Sequence, residues 1–202
     1  MAETFIVALN GSPNKDGNTA FLLQQALDEC IKMGAAVRLL HCWEILKDQK
    51  IPFCVACSSP CLGKCSEGSR LSEAFDLISR ADGLIVGSPV YFGTVSAQLK
   101  AFWDKSRFLR TEKKLLNVVG GAITVGASRF GGQETTLRAI HDMLMAQGMI
   151  IVGDGYHDDD CGHIGAAAQR PSREDKNAIE RCRILAKRIF QVAEATRRLR
   201  KR

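Results

Sequence analysis

The sequence predicts an α/β fold, a doubly wound, three-layer arrangement with a five-stranded parallel sheet between helices. Three observations predict it. Short continuous apolar runs such as Phe5–Leu9 and Gly83-Leu84-Ile85-Val86-Gly87 read as strands buried on both faces. Segments with apolar residues at helical spacing alternate with those runs along the whole chain. At 202 residues, the chain can bury a full core without disulfide staples, so residues 1–202 are read as one domain.

The elements follow in order. Phe5–Leu9 leads through a polar loop into a helix with Ala20, Leu23, Ala26, Leu27, Cys30 and Ile31 on one stripe, stopped at Gly34. Val37–His41 is the second strand. From Cys42 to Ser69 periodicity is lost, and a loop of that length in a compact fold is usually functional or disordered. Its stretch at about 51–69 holds four cysteines. Leu71, Ala74, Phe75 and Ile78 mark the next helix, before the strand at 83–87. A helix from Ala97 to Phe108 turns Leu99, Phe102 and Trp103 inward. Leu116–Val125 is a long strand interrupted by Gly120 and Gly121. Thr135–Gln147 is helical, Met149–Val152 is the fifth strand, and Ser172–Arg198 is the closing helix. Five strands and five helices result, with no internal repeat and no linker.

Composition narrows the function classes. No run approaches the 18 apolar residues of a membrane span. Met1-Ala2-Glu3-Thr4 carries no basic residue before Phe5, so the amino terminus reads as a strand and not a signal peptide. A cytoplasmic protein with no membrane partner is expected. The net charge is +6, of which Arg197, Arg198, Arg200, Lys201 and Arg202 contribute five. A basic end at 197–202 reads as a solvated, frayed helix end and not as a nucleic-acid patch.

An open parallel sheet binds ligands outside the carboxyl ends of its strands, where strand order reverses. The loops after strands one, three and four therefore matter most. The first, Asn10-Gly11-Ser12-Pro13-Asn14-Lys15-Asp16-Gly17-Asn18-Thr19, offers donors at Ser12, Asn18 and Thr19 beside the first amides of a helix. Such a set suits a phosphate without an arginine. It could equally be a capped turn with Asn18 or Thr19 as N-cap. Neither G-x-x-x-x-G-K-S/T nor G-x-G-x-x-G occurs, which argues against ATP and against a Rossmann-bound dinucleotide.

After strand three, Pro89, Val90, Tyr91 and Phe92 form an apolar, aromatic loop. A flat aromatic ligand would account for it, and so would a role in covering core. After strand four comes Gly126-Ala127-Ser128-Arg129-Phe130-Gly131-Gly132-Gln133-Glu134-Thr135, whose glycines let backbone amides approach a ligand closely.

The stretches N-G-S-P-N-K-D-G-N-T-A, G-S-P-V-Y-F-G-T-V-S-A-Q-L-K-A-F-W-D and G-A-S-R-F-G-G-Q-E-T-T-L resemble the flavodoxin-like NAD(P)H-dependent FMN reductases. Within them the chain is most similar to the iron–sulfur flavoproteins, over nearly its whole length. The resemblance implies a flavodoxin-like fold and FMN bound with its phosphate at Ser12, Asn18 and Thr19. It implies isoalloxazine contacts at Pro89, Val90, Tyr91, Phe92 and Gly93, with Ala127, Ser128, Gly131 and Gly132 closing the pocket. It further implies a homodimer or homotetramer with the flavin near a subunit interface. Chemistry would lie on the flavin, tuned by the loop amides, and no side chain is singled out as catalytic.

Eight cysteines in a chain without a signal peptide need an account other than disulfides. Cys30 and Cys182 fall on apolar helix stripes, as small hydrophobes do. Cys54-x2-Cys57-x3-Cys61-x3-Cys65 supplies four thiolates in one loop, suited to a [4Fe–4S] cluster or a Zn(Cys)4 site. The iron–sulfur flavoproteins carry a compact motif there, usually C-x2-C-x2-C and then a longer gap. This chain departs from it by x3 spacing and by Pro60 before Cys61, and free thiols remain an alternative. Location favours iron, because a one-electron centre beside FMN has an evident use and zinc has no redox chemistry.

The expected activity is an FMN-dependent oxidoreductase passing electrons from ferredoxin or NAD(P)H to a small acceptor such as oxygen, peroxide, a quinone or a nitroaromatic. The alternatives are an NAD(P)H-dependent FMN or quinone reductase without a cluster, and a non-catalytic redox carrier or sensor. In the carrier reading the basic end would dock an acidic partner such as ferredoxin. His157, Asp158, Asp159, Asp160, Cys161 and His163 have spacing that could take a divalent metal, but a solvated acidic loop is the favoured reading.

Overall fold

The computed structural model describes residues 3–200, so expectations resting on Met1, Ala2, Lys201 and Arg202 lie outside the described residues. Its strands are β1 (Phe5–Asn10), β2 (Ala36–His41), β3 (Gly83–Pro89), β4 (Val119–Gly126), β5 (Ile150–Ile151) and β6 (Ala166–Gln169). Its helices are α1 (Asn18–Lys32), α2 (Cys42–Leu46), α3 (Arg70–Arg80), α4 (Ala97–Lys105), α5 (Arg107–Thr111), α6 (Gln133–Ala146) and α7 (Lys176–Ala195). All pairings are parallel in the order β2-β1-β3-β4-β5, so strand order reverses between β1 and β3.

Residues alternate across the strands. Val7, Leu9, Leu84 and Val86 join one core with Phe75, Phe102 and Ile140 from α3, α4 and α6. Ile6, Ala8, Ile85 and Ile123 face the other, with Leu23, Leu27, Leu185 and Ile189 from α1 and α7. Both faces of the sheet are thereby covered, which is why the strand sequences are continuously apolar. Truncating one of these side chains, such as Phe102, to Ala costs about 3–5 kcal/mol.

Four boundaries differ from the sequence reading. The fifth sheet position is split: Ile150 and Ile151 pair with Val119 and Gly120, then the chain leaves and returns as β6 beside Ile123–Gly126. Ala166-Ala167-Ala168-Gln169 has no large apolar residue, and so no strand signal. The excursion is held by Asp154, fully buried, which accepts from the His163 amide and from Arg181 Nε. Part of the long 42–69 segment is helical, as α2 and a 3-10 turn at Lys64–Ser66. The predicted 97–108 helix breaks at the buried Ser106, whose Oγ donates to Trp103 O at 2.6 Å and accepts from Gln147 Nε2 at 2.8 Å.

The basic end is the fourth difference. α7 stops at Ala195, and Arg197–Leu199 forms a 3-10 turn. Arg200 Nη2 lies 3.1 Å from Asp82 Oδ1, with both side chains under a tenth exposed, and Arg197 Nη2 donates to Thr4 Oγ1 at 2.5 Å. The described part of this end is pinned to the fold and not frayed. Among the described residues, no helix is long and apolar enough to cross a membrane.

Candidate functional site

The first loop is a chain of short side-chain-to-backbone turns. Asn10, buried at the end of β1, accepts the Ser12 amide on Oδ1 at 3.0 Å. Ser12 Oγ accepts the Asn14 amide at 3.1 Å, and Asn14 Oδ1 accepts the Asp16 amide at 3.0 Å. Asn and Ser make such turns because a short polar side chain reaches the amide two residues on. Gly11 packs too closely for any side chain, since an added Cβ would sit 2.7 Å from Leu99 Cβ and 2.9 Å from Gly87 O.

The N-cap of α1 is Gly17, and no side chain caps this end. Neither Asn18 nor Thr19 caps the helix, so the capped-turn reading falls. The first α1-type bond runs from Phe21 N to Gly17 O, leaving the amides of residues 18–20 open. Free amides at a helix N-terminus attract anions. Ser12 is buried beside them, and Thr19 is buried with its methyl toward Gly87. Asn18 is partly committed: its Oδ1 accepts the Ser172 amide at 2.9 Å, tying the loop to the β6–α7 connection.

His41 stands behind this loop, with Nδ1 3.0 Å from Asn10 Nδ2. Because Asn10 Oδ1 is already engaged by Ser12, Nδ2 faces the ring and donates to it. Burial pushes the His41 imidazole below its usual value, against the opposing pull of Glu44 and Asp16.

The third-strand loop is a two-residue hairpin. Tyr91 and Thr94 exchange both backbone bonds, at 3.0 and 3.2 Å, around Phe92 (φ +50°) and Gly93 (φ +77°). Two positive φ values in succession suit a type I′ turn, and an aromatic residue in that region is strained. Tyr91 is half exposed and Phe92 fully so, as is Phe130 (φ +57°) on the fourth-strand loop. These rings do not cover the core, so that alternative also falls.

The fourth-strand loop is organised by Gln133, a buried residue that the sequence reading did not single out. Its Oε1 accepts Gly131 N at 2.8 Å, while Nε2 donates to Ser128 O at 2.7 Å and lies 3.3 Å from Ala168 O. Thr135 Oγ1 lies 2.7 Å from Gly93 O, and a Cβ on Gly132 would meet Gly93 Cα at 3.1 Å and Val90 Cγ1 at 3.2 Å. Val90 N donates to Val125 O at 2.9 Å. Ser96 Oγ donates to Gly11 O, joining the first loop to the segment after the hairpin.

Ser12, Asn18, Thr19, Pro89–Gly93, Ala127, Ser128, Gly131 and Gly132 thus lie on loops laced together at one sheet edge. The supporting residues, Ser96, Gln133 and Thr135, carry a weaker signal: polar residues opening a helix after a loop. A cavity of about 890 Å³ lies beyond the fourth-strand loop, between Phe130, Gln133 and Thr135 on one side and Arg170, Pro171 and Asp175 on the other.

The cysteine loop lies against α4 and α5. Cys54, Cys57, Cys61 and Cys65 all line one hollow of about 210 Å³, together with Phe53, Val55, Lys105 and Arg107. None is in a disulfide. Cys54 Sγ lies 3.4 Å from the Ala56 amide nitrogen and 4.0 Å from Arg107 Nη1. Four thiols, an amide donor and three basic residues, Lys50, Lys105 and Arg107, round one hollow suit a thiolate-bound metal centre by their chemistry, although among the described residues no three ligating side chains converge on a single ion position.

Two of the remaining cysteines and the acidic loop are accounted for otherwise. Burial pushes the Cys30 and Cys42 thiols up to about 12, which keeps them protonated as core residues. Asp160 pairs with Arg181 Nη2 at 2.9 Å, which holds its carboxyl below the usual range, and Asp159 lies 3.8 Å from Lys187. The acidic loop is therefore bound to the basic residues of α7.

Residues 4–160 match the family model described as NADPH-dependent FMN reductase. An iron-sulfur flavoprotein of Methanocaldococcus jannaschii is 38% identical over 195 residues, covering 94% of this chain and 97% of its own. One of Methanosarcina thermophila is 34% identical over 192 residues, covering 94% and 95%. Among solved structures, a flavodoxin, WrbA-like protein from Agrobacterium tumefaciens shares the fold, with a TM-score of 0.65 at 22% identity over 99% of this chain and 100% of that one. The chain belongs to the NADPH-dependent FMN reductase family, in its iron–sulfur flavoprotein branch, and is an FMN-dependent oxidoreductase.

Proposed function

We propose that residues 1–202 work as one electron-transfer domain in which FMN occupies the three-loop edge and a [4Fe–4S] cluster occupies the cysteine hollow. The observation that carries the flavin position is the open helix start at residues 18–20, beside Ser12 and under the laced loops. Bound FMN accepts electrons singly or in pairs and passes them on. The protein's part is to bind and orient it. The amides of residues 18–20, Ser12, Thr19 and the Nδ2 of Asn18 hold the phosphate. Pro89, Val90, Tyr91, Phe92 and Gly93 pack on the ring. Ala127, Ser128, Gly131 and Gly132 close over its polar end, with Gln133 fixing their backbone.

Cys54, Cys57, Cys61 and Cys65 would hold the cluster. Four thiols spread round a hollow suit a cubane, in which each thiolate takes a different iron, better than one tetrahedral zinc. Ferredoxin or NAD(P)H is the donor in this reading, and oxygen, peroxide, a quinone or a nitroaromatic is the acceptor. The 890 Å³ groove beside Gly132 and Gln133 leaves room for such a small molecule next to the ring. The exposed Phe92 and Phe130 support a homodimer or homotetramer that covers them near the flavin.

The test is an anaerobic stopped-flow measurement of flavin absorbance near 450 nm (~450 nm, a general feature of flavin cofactors). Bleaching by NADPH, NADH or reduced ferredoxin, followed by recovery on adding quinone, is expected. Absorbance unchanged by all three donors would rule out the reading.

A further inference from the structure

The cysteine hollow has a cationic wall that the cysteine motif does not account for. Lys105 ends α4 and Arg107 begins α5, and both line the hollow with the four thiols. Lys105 is only 5% exposed as a whole residue, and among the described residues no ion pair or hydrogen bond engages it. Its ammonium is not among the fully buried, unpartnered polar atoms, so a buried stem carries the charge to an atom that still reaches solvent at the hollow. Arg107 points Nη1 at Cys54 Sγ from 4.0 Å.

The corner that carries these cations is rigidly built. Ser106 between them is fully buried and bonded to both Trp103 O and Gln147 Nε2. Trp103 Nε1 donates to Met143 O at 3.1 Å, and Arg110 Nε donates to Ala146 O at 2.8 Å. These bonds moor the α4–α5 corner to the last turn of α6. The helix break at Ser106 turns two basic residues, two positions apart, toward one hollow.

We infer that Lys105 and Arg107 are electrostatic positioning residues that set the reduction potential of the metal centre held by Cys54, Cys57, Cys61 and Cys65. The inference rests on the cluster reading above. A [4Fe–4S] core with four thiolates carries a net charge of −2, and one electron from an external one-electron reductant takes it to −3. Fixed positive charge in a poorly hydrated site stabilises the more negative state, so both residues raise the potential.

The experiment is an EPR-monitored redox titration of anaerobically purified full-length protein, with dithionite as reductant and iron and sulfide counted per chain. Arg107→Met is expected to keep its iron and to disfavour cluster reduction about tenfold, a fall of about 59 mV for one electron. Arg107→Lys, which keeps the charge, is expected to stay closer to the wild-type potential than Arg107→Met, and Lys105→Met to fall in the same direction. Arg107→Met with full iron and an unchanged potential overturns the inference alone. Wild-type protein without iron overturns it together with the cluster reading. Should Lys105→Met lose its iron, the Arg107→Met and Arg107→Lys pair decides the matter by the same potentials.

Discussion

Ser96 Oγ donates to the carbonyl of Gly11 at 2.5 Å, across 85 positions of sequence, and accepts the amide of Leu99 at 3.2 Å. One buried hydroxyl therefore caps α4 and fixes the backbone of the first loop at Gly11 at the same time. Ser96→Ala should cost about 1–2 kcal/mol of stability, the usual value of a lost cap. It should also weaken FMN binding severalfold. Thermal unfolding of the flavin-free protein and quenching of FMN fluorescence on binding read the two effects separately. Full FMN affinity in a destabilised variant would show that the Gly11 bond is only structural.

The phosphate assignment predicts discrimination between FMN and riboflavin. Ser12→Ala removes one donor beside the open amides of residues 18–20. It should weaken FMN by about 1.5–3 kcal/mol, the range for a hydrogen bond to a charged group. Riboflavin, which has no phosphate, should bind the variant and the wild type equally. Equal losses for both ligands would place the phosphate elsewhere.

His41 and Asn10 make the same loop sensitive to acid. The folded His41 imidazole sits below its ordinary value, chiefly through burial, so the unfolded chain binds the proton more tightly. The contribution of His41 to stability is then complete above the ordinary histidine value and lost as pH falls through it toward the lowered one. Protonation also replaces the Nδ1 acceptor by a donor facing Asn10 Nδ2, which disturbs the bond to Ser12. Burial lowers His141 on α6 too, against the pull of Asp142. FMN affinity should therefore hold through the ordinary histidine range and decline only as pH falls through the lowered value of folded His41. His41→Gln should flatten the decline and His141→Gln leave it in place; the reverse pattern would exclude the His41–Asn10 route.

Arg200 and Arg198 separate structural charge from surface charge. Arg200→Met removes the buried ion pair with Asp82, whose Oδ2 still accepts the Phe5 amide, and should destabilise by about 3–5 kcal/mol. Arg198, exposed on the 3-10 turn, should tolerate Ser within about 0.5 kcal/mol. Urea unfolding measures both. Similar small losses would mean that the end is not pinned as described.

Much of this architecture was legible because strands buried on both faces must be continuously apolar. Phe5–Leu9 and Gly83–Gly87 declare themselves in that way, and so do the helical stripes of α1 and α7. β6 was not legible, since three alanines and a glutamine bury little surface and pair only because Asp154 and Arg181 close the excursion before them. The break at Ser106 was hidden as well: the apolar stripe of α4 and α5 continues through it, and only the bond from Gln147 shows the corner. The site loops were recognisable from Gly11, Tyr91 and Gly131, but their supports were not. Gln133 acts through both ends of its amide on residues that only the fold brings near. The role of Arg200 depended on Asp82, 118 positions away, which no local pattern reveals.

The most direct test of the central claim is the flavin and metal content of full-length protein purified without oxygen. The account predicts about one FMN, four irons and four acid-labile sulfides per chain. Alanine at Cys54, Cys57, Cys61 and Cys65 together should abolish the iron and sulfide while FMN remains. Protein that carries FMN with zinc, or with no metal, would contradict the two-centre account, and protein without FMN would contradict the site itself.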